Sequence, residues 1–185
     1  KESFFNLHFI KEDKEIPSPV LYYSDVSILT GNLCLITEYM SDDVHYLECA
    51  FDHFPNEHLQ LALEGLAALH ARYWGKTGAN MKKVMPIEDS TVYLLELIVA
   101  FSWSNTTRKI LVQSWRYMNR QQTVIHGDSR VGNMMFPKGE NGRFVLIDWQ
   151  AVRKGMAVYD LAYFLVLSLI TEHRSEVEEQ AINTY

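Results

Sequence analysis

The sequence predicts an α+β fold in which a mostly helical body carries a β-hairpin. Two short apolar runs, residues 134–136 and 144–147, flank a turn-forming segment, 137–143, that contains Pro, Gly and an Asn-Gly pair. Strands joined by a short Gly-containing loop pair as an antiparallel hairpin. Residues 57–74 instead repeat apolar side chains at three- and four-residue steps, which is typical of an amphipathic helix. An apolar stretch at 161–170 predicts a second, buried helix.

The predicted hairpin brings polar side chains at its two ends together. Asn133 directly precedes the first strand, and Asp148 directly follows the second. Because the start of one strand lies opposite the end of its antiparallel partner, we expect both side chains at the same end of the hairpin. Asp128 lies in a Gly-flanked loop that can curl back to the same point. A few oxygen ligands that leave room for water and phosphate suit Mg²⁺ bound with a nucleotide, and Asp128 would remain as a base.

The residues around this hairpin resemble a known group of kinases. The pattern His-Gly-Asp-x-Arg-x-x-Asn over residues 126–133, followed by Asp-Trp-Gln at 148–150, resembles the catalytic and metal-binding loops of the aminoglycoside phosphotransferase and choline-kinase-like group, including ecdysteroid-kinase-like proteins. Protein kinases place a catalytic Asp and a metal-binding Asn at the same interval. The resemblance, over about residues 33–170, implies a protein-kinase-like fold: a mostly helical large lobe with a catalytic β-hairpin, and a remnant of the β-rich small lobe.

The resemblance divides the chain into two expected lobes. Residues 1–40 would form part of the small lobe with the hinge, and residues 41–185 the large lobe, incomplete at its C-terminal end. Kinases hold the triphosphate with a Gly-rich loop and a strand Lys, and the sequence contains neither before its first predicted helix. We therefore expect a truncated chain. Glu2 is the candidate for the helix acid that would pair with that Lys, and a solvated Glu at a helix end is the alternative.

Residues 37–40 end the second of two predicted strands, 20–26 and 33–40. The resemblance places the adenine-binding hinge here. By position, the Glu38 carbonyl would accept a hydrogen bond from the exocyclic amine, the Met40 N–H would donate to a ring nitrogen, and Thr37 would lie behind them. Because a hinge binds adenine through backbone groups, side-chain identity carries little information. A strand end without a ligand therefore stays an alternative.

The resemblance also assigns roles in the loop. Asp128 would accept the proton of the acceptor hydroxyl, or orient that hydroxyl towards the γ-phosphate, while Asn133 and Asp148 would hold Mg²⁺. Arg130 would offset charge developing on the transferred phosphate, or it pairs with a neighbouring acid. His126 would brace the loop through hydrogen bonds.

Asp160 stands near the start of the second buried helix. One interpretation makes it an N-terminal cap that the helix dipole stabilises. The resemblance implies that its carboxylate accepts hydrogen bonds from the catalytic-loop backbone. His70, at the end of the first long helix, is expected to satisfy backbone groups near the same loop.

The other segments carry weaker patterns. Residues 41–56 are polar and irregular, and residues 150–156 predict a loop. Residues 92–118 predict one or two helices whose aromatic side chains form core or line an acceptor pocket. Residues 172–179 are highly charged and predict a solvated helix face.

These patterns predict a small-molecule kinase that uses ATP (or GTP) and Mg²⁺ to phosphorylate a hydroxyl of an unidentified metabolite. A catalytically silent, nucleotide-binding pseudokinase is the alternative, because the Gly-rich loop and Lys are missing. A metal-dependent hydrolase would need further His ligands near the loop. A protein kinase would need a longer segment between Asp148 and Asp160 to hold an activation loop.

Composition favours a cytoplasmic protein with a small-molecule partner. The net charge of −6 argues against nucleic-acid and acidic-membrane binders. The two Cys residues have no ligand or redox spacing, which indicates a reducing compartment. The stretch 161–170 is too short to span a bilayer. No pattern in the sequence predicts the oligomeric state.

Overall fold

A computed structural model describes residues 2–27, 29–40, 44–46, 54–76, 122–138 and 142–185. In chain order, the strands are β1 (Leu21–Val26), β2 (Leu33–Thr37), β3 (Val44–Tyr46), β4 (Thr123–Ile125), β5 (Met134–Pro137), β6 (Val145–Leu146) and β7 (Arg153–Gly155). The helices are α1 (Glu2–Phe5), α2 (Asn56–Tyr73), α3 (Ala157–Ser168) and α4 (Thr171–Thr184). The predicted helices at 92–118 lie outside the described residues.

The first helix packs an aromatic side chain against Trp149, which follows shortly after β6. α1 continues as a wider π-helical turn, Asn6–Ile10. The rings of Phe5 and Phe9 stack with centroids 5.1 Å apart, and Phe5 also lies 4.8 Å from the ring of Trp149. The turn after this segment is tied to the end of α2, because Asp13 accepts a hydrogen bond of 2.7 Å from Arg72 Nε.

The hairpin predicted over residues 20–40 is confirmed, with shorter strands than the sequence suggested. β1 and β2 pair antiparallel, from Leu21 opposite Thr37 to Val26 opposite Leu33. Every residue of β2 is exposed.

The hairpin predicted around residues 134–147 is also confirmed, and a third strand joins it. β5 pairs antiparallel with β6, and β3 pairs with the other edge of β5. The prediction that residues 41–56 are irregular is wrong for 44–46. The reason is that β3 is only three residues long and depends on a partner far along the chain, so no local pattern marks it.

A further two-stranded ribbon positions the loop that carries Asp128. β4 pairs antiparallel with β7, and Ile125 lies opposite Arg153. The prediction of a loop over 150–156 is therefore wrong for 153–155, where pairing with β4 outweighs a sequence rich in polar residues. The chain leaves β4 directly into the segment His126-Gly127-Asp128.

The core lies between α2, α3 and the catalytic hairpin. The buried face of α2 contains mostly Leu side chains: Leu59, Ala62, Leu63, Leu66 and Leu69. Each buried Leu contributes about 2 kcal/mol of transfer free energy. Phe54 joins the three elements through edge contacts, with its ring centroid 5.7 Å from that of Phe136 and 5.9 Å from that of Phe164. In the part of the chain that the structure covers, no helix has both the length and the apolar character needed to cross a bilayer.

Candidate active site

Asn133 and Asp148 flank the paired strands β5 and β6 at the same end of their hairpin. Met134 pairs with Leu146, and the next backbone bond runs from Ile147 N–H to the Asn133 carbonyl, at 3.0 Å. Asp148 follows with φ of 62°, a left-handed conformation that turns the chain away from the hairpin. A non-glycine residue in this region costs about 1 kcal/mol, which the surrounding contacts must offset.

The amide of Asn133 holds Asp128 at this point. Asn133 Nδ2 donates to both the backbone carbonyl and the Oδ2 atom of Asp128, each at 2.8 Å. Because both partners are acceptors, the amide nitrogen must face Asp128. The Oδ1 atom of Asn133 is therefore the oxygen that remains for a cation.

Arg130 lies against the predicted base. Its Nε atom is 3.6 Å from Asp128 Oδ1, and its side chain is 45% exposed. Pairing with a neighbouring acid, one of the two interpretations of this residue, is therefore present in the structure. An ion pair with this exposure contributes little to stability.

His126 connects the loop to the hairpin through both ring nitrogens. Its Nε2 lies 2.9 Å from the Ile147 carbonyl, and Asp128 N–H lies 3.3 Å from its Nδ1. Nε2 therefore carries the proton and Nδ1 accepts, which defines a neutral tautomer. Burial lowers the pKa of His126, although the charges of nearby acids, Asp160 first, oppose this shift. The imidazole thus stays neutral between the loop and the residue before Asp148.

Asp160 fixes the backbone at the start of the loop. Its Oδ2 accepts from His126 N–H at 2.6 Å, and its Oδ1 accepts from Gly127 N–H at 2.9 Å. The cap interpretation is wrong, because Met156 is the N-cap of α3 and the Asp160 side chain binds the loop instead. Burial raises the pKa of Asp160, but the hydrogen bond and charge of His70 and the other donors outweigh it, so the net shift is downward and the carboxylate is ionised.

His70 joins two helices to this carboxylate. Its Nε2 lies 3.0 Å from Asp160 Oδ2, and its Nδ1 contacts the hydroxyl of Tyr185. Its own carbonyl accepts a hydrogen bond of 2.6 Å from Thr123 Oγ1, just before β4 leads into the loop. His70 therefore acts on the loop through Asp160.

Gly127 allows the close approach of two segments. It has φ of +85°, and a Cβ atom there would lie 2.3 Å from the Ala151 carbonyl oxygen and 2.4 Å from Arg153 Nη1. Only glycine combines this backbone conformation with this lack of space.

Glu2 lies beside Asp148, so it is not simply a solvated residue at a helix end. Its Oε1 accepts a hydrogen bond of 3.3 Å from Trp149 N–H. Burial raises the pKa of Glu2, and the charge of Asp148 raises it further, while the hydrogen bond from Trp149 opposes them.

The residues expected at the hinge lie where the β1–β2 ribbon meets the catalytic hairpin. Thr37 is the last residue of β2, and the Glu38 carboxylate accepts from Val20 N–H at 3.0 Å and from the Arg143 guanidinium. Arg143 also lies 3.9 Å from Met40 Sδ. The sequence did not indicate Arg143, because its contact spans 105 positions.

Comparison with known proteins agrees with this architecture. The chain is similar to the crystal structure of aminoglycoside-3'-phosphotransferase of type VIII, with a TM-score of 0.59 and 19% identity over 100% of this chain and 70% of that chain. The fold is protein-kinase-like. The sequence model of the Ecdysteroid kinase-like family matches residues 102–185. The resemblance inferred from the loop residues, and the protein-kinase-like fold that it implied, are therefore confirmed.

The chain also resembles part of a much longer protein. It is 26% identical over 157 residues to Acyl-CoA dehydrogenase family member 11 of Gallus gallus, and the match covers 80% of this chain. It covers only 20% of that protein, so this protein-kinase-like chain spans about a fifth of the length of that curated relative.

Proposed function

We propose that this chain is part of a small-molecule kinase that transfers the γ-phosphate of ATP, or of GTP, to a hydroxyl group. The observation that carries the proposal is the contact of Asn133 Nδ2 with Asp128 Oδ2, at 2.8 Å, beside the hairpin end that leads into Asp148. The amide of Asn133 and the carboxylate of Asp128 are thereby in contact, and Asp148 follows the strand that pairs with the one after Asn133. The similarity to an aminoglycoside phosphotransferase and to the ecdysteroid kinase-like family supports this reaction class.

The proposed chemistry depends on positioning. Asp128 would accept a hydrogen bond from the acceptor hydroxyl and direct its oxygen at the γ-phosphorus. The new O–P bond forms as the bond from the γ-phosphorus to the bridging oxygen breaks, and ADP leaves with the electron pair. The hydroxyl proton passes to Asp128 and then to solvent. Arg130 would move from Asp128 to the transferred phosphoryl group and offset its charge.

The donor atoms present fit a magnesium-nucleotide. Asn133 Oδ1 and the Asp148 carboxylate are two oxygen ligands at one hairpin end, a set that leaves positions for water and phosphate oxygens. Asn133 and Asp148 would hold Mg²⁺, which when bound would supply positive charge that offsets the charge of the phosphates. His126 and Asp160 would keep these residues in place, through the hydrogen bonds described above. Sequence position supports adenine binding by the backbone at Thr37, Glu38 and Met40.

The proposal includes the two-lobe division, with a partial small lobe over residues 1–40 and a large lobe over 41–185. It also includes a cytoplasmic location and a small-molecule acceptor. The net charge of −6 supports such a partner rather than a nucleic acid.

Two substitutions in the full-length protein test the proposal. Asp128→Ala should abolish phosphoryl transfer but leave Mg-ATP binding within about threefold of the unchanged protein, because the base does not hold the nucleotide. Asp148→Ala should weaken Mg-ATP binding itself. Transfer is measured as ADP production with a panel of hydroxylated metabolites, and binding by calorimetry. Glu172→Gln, an exposed change on α4, is the control.

The outcomes separate the proposal from its alternative. Turnover that survives Asp128→Ala would show that this residue is not the base. Tight Mg-ATP binding without turnover on any acceptor, or in water, would identify a catalytically silent nucleotide-binding protein.

A further inference from the structure

The catalytic loop runs along α3. Ser129 Oγ donates to the Asp160 carbonyl at 2.8 Å, and Val131 N–H donates to the Ser168 hydroxyl at 2.9 Å. These two contacts bracket the middle turns of the helix. The loop therefore runs beside the turn of α3 that carries Tyr163, and the carboxylate of Asp128 lies next to that residue.

Tyr159 and Tyr163 form a stacked pair on this helix. Their ring centroids are 5.7 Å apart, with an angle of 22° between the planes. Both side chains are partly exposed, whereas Phe164 on the same helix is fully buried. Burial raises the pKa of the Tyr163 phenol, and a hydrogen bond to Asp128 raises it further. Tyr163 is therefore the ring of the stacked pair that contacts Asp128, the proposed base.

Arg153 lies against Tyr159, the other ring of the stacked pair. Its guanidinium carbon lies 4.4 Å from the centroid of the Tyr159 ring, and its Nη1 donates to the Ala151 carbonyl at 3.2 Å. The glycine at position 127 leaves the space that this nitrogen occupies. The guanidinium is thus held by a ring and a carbonyl, and it lies close to Gly127, the residue before Asp128.

The charge on this side of Asp128 is positive. Arg130 lies 3.6 Å from the Asp128 carboxylate, and none of the ion pairs among the described residues involves Arg153. A planar guanidinium with an unused edge binds a carboxylate through two parallel hydrogen bonds. The partly exposed outer surface of the tyrosine pair provides apolar contact area for a ring.

We propose that Arg153, Tyr159 and Tyr163 form the acceptor subsite, and that it takes a ring-containing alcohol bearing a carboxylate. The inference rests on the proposed kinase function and adds the class of acceptor. The carboxylate pairs with Arg153, the ring lies along the tyrosines, and the hydroxyl reaches Asp128. A cationic alcohol is disfavoured because it meets Arg130 and Arg153.

Three alcohols of matched shape test this selectivity in the full-length protein. 4-(Hydroxymethyl)benzoate is anionic, 4-(hydroxymethyl)benzamide is neutral, and 4-(aminomethyl)benzyl alcohol is cationic at neutral pH. We expect kcat/KM to fall in that order, with at least a tenfold difference between the first and the last. Arg153→Leu should raise KM for the benzoate at least tenfold, change kcat less than threefold, and leave the benzamide within threefold. Arg153→Lys, which keeps the charge, should restore part of the preference.

A charge-deletion control and a nucleotide readout separate the outcomes. Lys76→Gln removes an exposed charge at the end of α2 and should leave the order unchanged. If Asp128-dependent ATP hydrolysis occurs but the benzoate is neither phosphorylated nor inhibitory, the acceptor class is wrong and the kinase function stands. The acceptor class is also wrong, and the kinase function still stands, if the order of kcat/KM for the three alcohols persists in Arg153→Leu. The same conclusion follows if the cationic alcohol is the preferred one. ATP consumption that does not depend on Asp128 would overturn the kinase function itself.

Discussion

The carboxylate of Asp160 lies 3.0 Å from the imidazole of His70, and the same carboxylate accepts hydrogen bonds from the successive backbone amides of His126 and Gly127, in the loop that leads to Asp128. Residues 90 positions apart are thus joined by a buried charge that holds the loop. The loop's geometry therefore depends on one ionised group with three donors.

Asp160→Asn tests this dependence. One of the three donors would face the new amide N–H₂ instead of an acceptor, and the buried charge would be lost. We expect the free energy of unfolding to fall by roughly 2–4 kcal/mol, and kcat to fall more than KM rises. Urea unfolding and steady-state kinetics measure both. The exposed Asp25→Asn is the control, and equal effects of the two changes would contradict the role of Asp160.

The neutral state of His126 predicts a pH dependence of stability. Its pKa in the folded chain is below the ordinary value of 6.5. As the pH falls from 7 towards 5, the unfolded chain takes up a proton that the folded chain does not, so stability falls by at most about 1.4 kcal/mol per pH unit from this residue. The lowered pKa of Asp160 stabilises the folded chain throughout this range, and that contribution is lost only as the pH falls below the ordinary value of 3.8.

His126→Gln isolates this contribution. The variant should be less stable than the unchanged protein at pH 7, because it loses a ring that bonds on two sides. The difference should shrink at pH 5, because the variant has no proton to exclude. Denaturant unfolding at several pH values gives the two curves. A gap that stays constant or widens on acidification would contradict a buried neutral imidazole.

Gly127→Ala should destabilise the loop, because its Cβ would meet the backbone oxygen of Ala151. Gly31 provides a matched control: it also has positive φ, +72°, but no atom lies within 4 Å of its Cβ position. Gly31→Ala should cost about 1 kcal/mol of strain, whereas Gly127→Ala should cost about 2–4 kcal/mol and reduce activity. Thermal unfolding compares them, and equal costs would show that the loop and Ala151 move apart freely.

Gly65→Ala shows how packing can reverse a helix preference. Alanine is favoured over glycine inside a helix by about 1 kcal/mol. A Cβ at Gly65, however, would lie 2.3 Å from the ring of Phe144. We expect the single change to lower stability, and the same change in a Phe144→Leu background to raise it. Unfolding free energies of the four proteins test this change of sign, and a stabilising single change would show that the ring has room to move.

The hairpin formed by β5 and β6 could be predicted because the residues that determine its strands and its turn lie close together in the sequence. The apolar runs of β5 and β6, the turn between them and the polar residues at their ends all lie within 25 positions of Asp128. Antiparallel pairing then determines that Asn133 and Asp148 meet. The strand pairing of residues 134–137 with 145–146 follows the same local pattern.

The remaining contacts depend on tertiary structure. β3 and β7 are three-residue strands without apolar alternation, so only their distant partners define them. The residues alone placed Asp160 at a helix start, and only the resemblance implied that its carboxylate accepts hydrogen bonds from the loop backbone, as it does from His126 and Gly127. Tyr163 and Arg153 lie in segments read as core helix and loop, and only the packed structure sets them beside Asp128.

Arg143 joins the segments that flank the β1–β2 ribbon to the hairpin that leads into Asp148. Its guanidinium contacts the carboxylate of Glu38 and donates to the carbonyl of Ser18, while its backbone belongs to the strand-turn-strand unit that ends in Asp148. The β1–β2 ribbon and the hairpin that leads into Asp148 are therefore joined through the Arg143 side chain. In the proposed kinase, a movement of the ribbon away from this hairpin would have to break that contact.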